Sequence, residues 1–281
     1  GGSLTVNGPT RVGRTLTING GRFEALGALD LNGVSVSAAA SQFIANGGGT
    51  IADFDQGNGT STFNAAGLAF AVLTPRGGTM NFNAAVTLPS STLRVASYIA
   101  NINADLGLAT LDIDSGTVNL NVASSAASID LSGGTLNVAG NTAMSGNLTW
   151  SSGTIAGGGV LSLAGVLDQS SNTTVYLRQT TLVHSNSSGN SRIANTSGSG
   201  FNLENGALLR NTGSLTLSVE APNGILYIDQ DTGPLGGRFE NTGTLTKVGA
   251  GRADIGNFGA MTFMQGGTLN VEAGSLTLGN T

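Results

Sequence analysis

Apolar residues along this chain fall on alternate positions in short runs, and glycine opens each run. The stretch Gly237-Arg-Phe-Glu-Asn-Thr-Gly-Thr-Leu-Thr-Lys247 is answered about one turn of sequence later by Gly267-Thr-Leu-Asn-Val-Glu-Ala-Gly-Ser-Leu-Thr-Leu278. Leu245 stands between Thr244 and Thr246, Leu269 and Val271 flank Asn270, and Leu276 and Leu278 flank Thr277. A period of two places one set of side chains on each face of a strand. The polar set is Thr, Asn and Ser rather than Lys and Glu, so the outer face carries hydroxyls and amides with little charge. A module this small cannot bury its apolar row alone and has to stack on copies of itself.

The copies recur along the chain. Gly213-Ser-Leu-Thr-Leu-Ser-Val219 precedes Gly237 by 24 positions, and Gly243 precedes Gly267 by the same 24. Gly116-Thr-Val-Asn-Leu-Asn-Val122 is followed 18 positions on by Gly134-Thr-Leu-Asn-Val138 and 19 further by Gly153-Thr-Ile155, while Gly146 and Gly165 lie 19 apart. Two strands of about five residues with a corner after each, in roughly 18 to 24 residues, is the coil length of a parallel β-helix. The pattern therefore predicts an all-β, right-handed parallel β-helix, a β-solenoid of about a dozen rungs. Residues 1–281 read as a single elongated solenoid, a rod of about 60 Å at about 4.8 Å per layer. Neither end reads as a polar cap, so the chain is expected to be a segment of a longer repetitive protein or a unit whose ends are covered by neighbouring copies.

In chain order, residues 3 to 34 show the strand pattern with Asn-Gly corners at Asn7, Asn19 and Asn32, a dipeptide suited to positive φ. From Val34 to Asn83 the register loosens around Gly47-Gly-Gly49 and the turn-rich Asp53-Phe-Asp-Gln-Gly-Asn-Gly59, which predicts rungs with longer loops. Residues 128 to 167 are the most regular block. Polar intervals at Ser170–Thr174 and Ser185–Ser191, and loops at Ala221–Gly224 and Asp229–Pro234, are the places where anything specific would sit.

Charge and composition narrow the function. Charged residues make up 10% of the chain, with 11 basic against 16 acidic and a net charge of −5. With Lys247 as the single lysine and few aromatics, the chain lacks the clustered cations and stacking platforms of a nucleic-acid binder. No apolar run reaches membrane-spanning length, so no membrane insertion by this segment is expected. No cysteine is present, which removes disulfides and thiolate metal sites.

Candidate chemistry is sparse, and no catalytic residue, metal site or cofactor is implied. His184 is the only histidine, and without an identifiable partner base or nucleophile it reads as structural. Asp53, Asp55 and Asn58 resemble the start of a calcium loop, but Asn64 stands where a bidentate Glu belongs. Asp229 and Asp231 have the spacing of two side chains on one strand face and form the nearest thing to a carboxylate pair in a groove, with Tyr227 beside them. Together Tyr227, Asp229, Asp231 and His184 are the candidates for loop-borne recognition. Trp150 shares the phase of Leu148 and is expected in the core. Asn211 and Asn241, each followed by Thr-Gly, are expected to stack as an amide ladder.

The phrases Arg238-Phe-Glu-Asn-Thr-Gly-Thr-Leu-Thr-Lys-Val-Gly-Ala-Gly251 and Leu148-Thr-Trp-Ser-Ser-Gly-Thr-Ile-Ala-Gly-Gly-Gly159 resemble the repetitive passages of large bacterial surface proteins related to filamentous haemagglutinin and autotransporter passengers. That resemblance implies export to the bacterial cell surface or the extracellular space and service as an adhesin stalk, filament or matrix component without catalysis. The partners expected are copies of the chain end to end, adjoining repeats of the same polypeptide, and surface glycans or host proteins if the segment is a ligand-binding passenger. A carbohydrate-active enzyme on the same fold would need Asp229 and Asp231 to converge with a third acid and a basic residue. Neither a preceding secretion domain nor a following membrane barrel is recognisable in the sequence.

Overall fold

The computed structural model describes residues 1–123, 125–195, 200–230 and 234–279. It is an all-β parallel β-solenoid of about 13 turns, as the alternation predicts. Among the described residues there is no helix, and so none long and apolar enough to cross a membrane. The chain divides into two compact units, Gly1–Ser125 and Ala126–Thr281.

In the first unit, short strands alternate with long ones. The short strands Ser3–Val6, Arg22–Ala25, Gln42–Ala45, Thr60–Phe63, Thr79–Phe82, Ile99–Ile102 and Thr117–Leu120 lie side by side, so that Phe23, Phe43, Ser61, Met80, Ala100 and Val118 stack in one inward column. Four long strands, Thr10–Ile18, Leu29–Val36, Gly49–Gln56 and Leu68–Pro75, form the facing wall. Phe43, Phe54, Phe63, Phe70 and Phe82 meet between the walls at ring separations of 5.2 to 6.2 Å, contacts that add about 0.5–1.5 kcal/mol each beyond area burial.

The longer loops expected between Val34 and Asn83 are absent. Gly49–Gln56 is a strand that buries Phe54 and Gln56, with Asp53 and Asp55 on its outer side and Asp55 3.3 Å from the Arg76 guanidinium. Two acids flanking a phenylalanine read as a turn, yet they are the outward positions of a period-two pattern.

Outside the short strands, Asn46, Asn64, Asn83, Asn103 and Asn121 pass a side-chain amide hydrogen bond from coil to coil at 2.6–2.8 Å, over steps of 18 to 20 residues. Asn81, Asn101 and Asn119 repeat the arrangement in a neighbouring column.

The facing wall is interrupted once. Val86–Thr87 pairs with Leu68 and Ala69 only, and the chain then turns through Pro89 to Ser91, whose φ is +52°. Pro89 has no N–H to continue the ladder. The next strand, Thr92–Val95, pairs forward with Leu108–Ile113 and not back onto Val72–Pro75. Val72–Pro75 therefore keeps one unpaired edge, and Leu73, inward by alternation, stays half-exposed in a groove of about 540 Å³.

In the second unit each coil has three strands, not the two that the glycine spacing suggested. Thr135–Val138, Thr142–Met144 and Leu148–Trp150 make the first such coil, and Ile225–Asp229, Arg238–Asn241 and Thr244–Val248 a later one. Coil-to-coil steps stretch from 19 to 30 residues. The added strand corrects one equivalence: Ser214 pairs with Thr244 and Leu208 with Arg238, so Gly213 is answered by Gly243 and not by Gly237. Gly243 and Gly267 are answered as expected, since Thr244 pairs with Thr268. The stretch starting at Gly237 consequently stacks on Thr262–Val271, one strand earlier than its glycines implied.

Trp150 is fully buried edge-on against Phe201, at 5.1 Å. Lys247, also fully buried, donates from Nζ to the carbonyls of Val248, Gly249 and Ala273 at 2.7, 2.9 and 3.2 Å. Those three bonds use all three protons of the interior ammonium.

Candidate functional site

Two arrangements in the second unit hold the residues that carry chemistry. The first is interior. His184 ends the strand Thr181–His184 and points inward with Leu182, so it is not loop-borne. Its Nδ1 lies 2.8 Å from Asn211 Oδ1 and its Nε2 2.7 Å from Ser191 Oγ. Asn211 Nδ2 donates onward to Asn241 Oδ1 at 2.7 Å and to the Thr244 carbonyl at 3.0 Å. With Oδ1 thus turned to the ring, Nδ1 carries the proton and Ser191 donates to Nε2. Asn241 passes the pattern to Gln265 Oε1 at 3.0 Å, which is the ladder expected of Asn211 and Asn241 with a histidine at its head.

A hydroxyl, an imidazole and an orienting amide at these distances have the geometry of a nucleophile, base and positioner. Ser191, His184 and Asn211 are each 0% exposed, and Ser191 Oγ also accepts the Leu167 N–H at 3.1 Å. A substrate cannot reach the hydroxyl, so the set ties coils together. Burial holds the His184 pKa below the ordinary histidine value, against the opposing pull of Asn211.

The second arrangement lies on the outer side of Val175–Arg178, Gly200–Glu204, Ile225–Asp229 and Arg252–Ile255. Register aligns Tyr176, Asn202 and Asp229 in one outward column and Gly200, Tyr227 and Asp254 in the next. Gly200 leaves a gap in its column, over which Asn202 leans: a Cβ at Gly200 would stand 3.0 Å from Asn202 Oδ1. The resulting groove, about 270 Å³, has Gly200 as its floor and Thr174, Asn202, Tyr227, Asp229, Gln230 and Phe258 around it.

Asp229 fixes one wall. Its carboxylate accepts the Gln230 N–H at 3.0 Å and the Phe258 N–H at 2.9 and 2.8 Å, pinning the Gly256–Gly259 turn so that the Phe258 ring stands 57% exposed and 5.9 Å from the Tyr227 ring. Burial pushes the Asp229 carboxyl above the ordinary aspartate range, against the pull of the Gln230, Phe258 and Asn257 backbone N–H groups. The nearby Asp254 carboxylate adds to the rise. Asp254 is fully buried, its Oδ1 2.9 Å from the Arg252 guanidinium.

Of the residues singled out in the sequence, Tyr227 and Asp229 come together here, His184 does not, and Asp231 lies outside the described residues. The third acid and basic residue that a carboxylate mechanism would require are represented near Asp229 by Asp254 and Arg252, but these two are engaged with each other. Asp53 and Asp55 form no metal cluster, and no group of three or more potential ligands occurs among the described residues. Asn202, Phe258 and Gly200 escaped the sequence reading. The available signal was a lone phenylalanine inside the glycine-bounded turn Gly256-Asn-Phe-Gly259, where no alternation could bury it. Comparison of the chain with protein-family models, curated proteins and solved structures returned no match.

Proposed function

We propose that this chain is a non-catalytic structural segment of a bacterial cell-surface or extracellular protein, serving as a stalk or matrix scaffold. The observation that supports this reading is the use made of its polar side chains. The one histidine, the interior asparagines and the outer asparagine columns hydrogen-bond from each coil to the next. Side chains that could do chemistry are spent on stacking, in a chain with little charge and no cysteine to oxidise. A solenoid of this kind gains stability from each neighbouring coil. Further coils, of the same polypeptide or of another copy, are the partners in this reading, and the exposed Val271 and Leu278 are the apolar side chains they would cover.

Antibodies raised against the chain should stain intact producing cells or their secreted matrix, and the signal should persist through brief protease treatment. Staining confined to lysed cells would overturn the assignment.

A further inference from the structure

We infer that the outer groove of the second unit is a binding site for a neutral sugar ring, a role that goes beyond scaffolding and does not depend on it. Asn202 is only 7% exposed, yet among the described residues its amide is hydrogen-bonded to nothing. The Tyr227 hydroxyl and the Thr174 hydroxyl are in the same state. An amide so nearly enclosed normally has a partner, while the two hydroxyls are half-buried. Here all three line the groove whose floor is Gly200, so a ligand that enters it meets donors and acceptors with no internal bond to give up.

The opposite wall differs in kind. Phe258 projects from a turn held by the Asp229 carboxylate, next to the Tyr227 ring. An aromatic surface over half exposed beside an unsatisfied amide suits a molecule with one apolar face and a hydroxyl-bearing rim, which describes a pyranose. The Asp229 carboxylate in the wall disfavours anions such as phosphate esters or uronic acids, and among the described residues no cation-holding cluster accompanies it. A groove of about 270 Å³ holds a single ring. The ring lies with its C–H face toward Phe258 and its hydroxyls toward Asn202, Thr174 and Tyr227.

Saturation-transfer NMR and calorimetry on the full chain test this with glucose, galactose, mannose, N-acetylglucosamine, their β-1,4-linked dimers and glucuronic acid, each at millimolar concentration. At least one neutral sugar should bind. Asn202→Ala and Phe258→Ala should each weaken that binding about tenfold or more, with the unfolding midpoint and Trp150 emission unchanged. Absence of binding by every neutral sugar, or binding that both variants leave intact, would overturn the site. Tighter binding of glucuronic acid than of glucose would overturn the neutral assignment.

Discussion

Replacing Asn211 by Leu keeps the branching of an interior side chain and removes its hydrogen bonds. In the native protein Asn211 accepts from His184 Nδ1 and donates to Asn241 Oδ1, both from a fully buried position. The substitution strands the His184 N–H and the Asn241 carbonyl where no water reaches them. A buried unsatisfied group costs about 1–3 kcal/mol, so the pair should cost about 4 kcal/mol. Asn83→Leu removes two side-chain amide bonds, one to Asn64 and one from Asn103, on the exposed side of the first unit. Water replaces both, and the expected cost is at most about 1 kcal/mol.

Urea unfolding followed by far-UV circular dichroism sees both units, and the single buried tryptophan, Trp150, reports the second. With a slope near 3 kcal/mol per molar urea, the Trp150 transition should fall by about 1 M or more in Asn211→Leu. The Asn83→Leu transition should hardly move. Equal shifts for the two variants would refute the claim that burial sets the cost of an unpaired amide here.

Other outcomes follow from particular residues. The His184 pKa is lowered in the fold, so the folded state takes up its proton later than the unfolded chain as pH falls. Stability should be complete above the ordinary histidine value near 6.5 and decline below it, and His184→Gln should abolish that part of the acid loss in a pH series of urea midpoints. Gly157→Ala should destabilise by several kcal/mol or prevent folding, because φ is +117° there and a Cβ would meet Val138 N at 2.5 Å. Calorimetry of the second unit's transition would show it. Amide exchange at Val72–Thr74 should be much faster than at Gly49–Gln56, since one edge of that strand has no neighbour; equal protection would mean that the interruption closes in solution.

The fold was legible wherever outward positions are Thr, Asn or Ser, because the period of two then stands out: Leu245, Leu269 and Leu276 each mark a real strand. It was misread where the outward positions are Asp53 and Asp55, which look like a turn. The third strand of the later coils escaped because Thr142-Ala-Met144 is three residues long and buries a threonine at an inward position, leaving little apolar signal. Asn211 and Asn241 could be matched by their shared Thr-Gly. The other partners of His184 could not, because coil geometry brings Ser191 and Asn211 from 7 and 27 residues away. The groove was half legible: Tyr227 and Asp229 share one strand, while Asn202 and Phe258 arrive from the coils on either side.

Ser191 tests most directly whether polar groups with catalytic geometry are architectural in this protein. The native chain should be treated with a fluorophosphonate, under conditions that label a serine hydrolase to completion, and Ser191 examined by peptide mass spectrometry. No adduct should form, because His184 and Ser191 are sealed between coils. An adduct on Ser191 in the folded protein would contradict this.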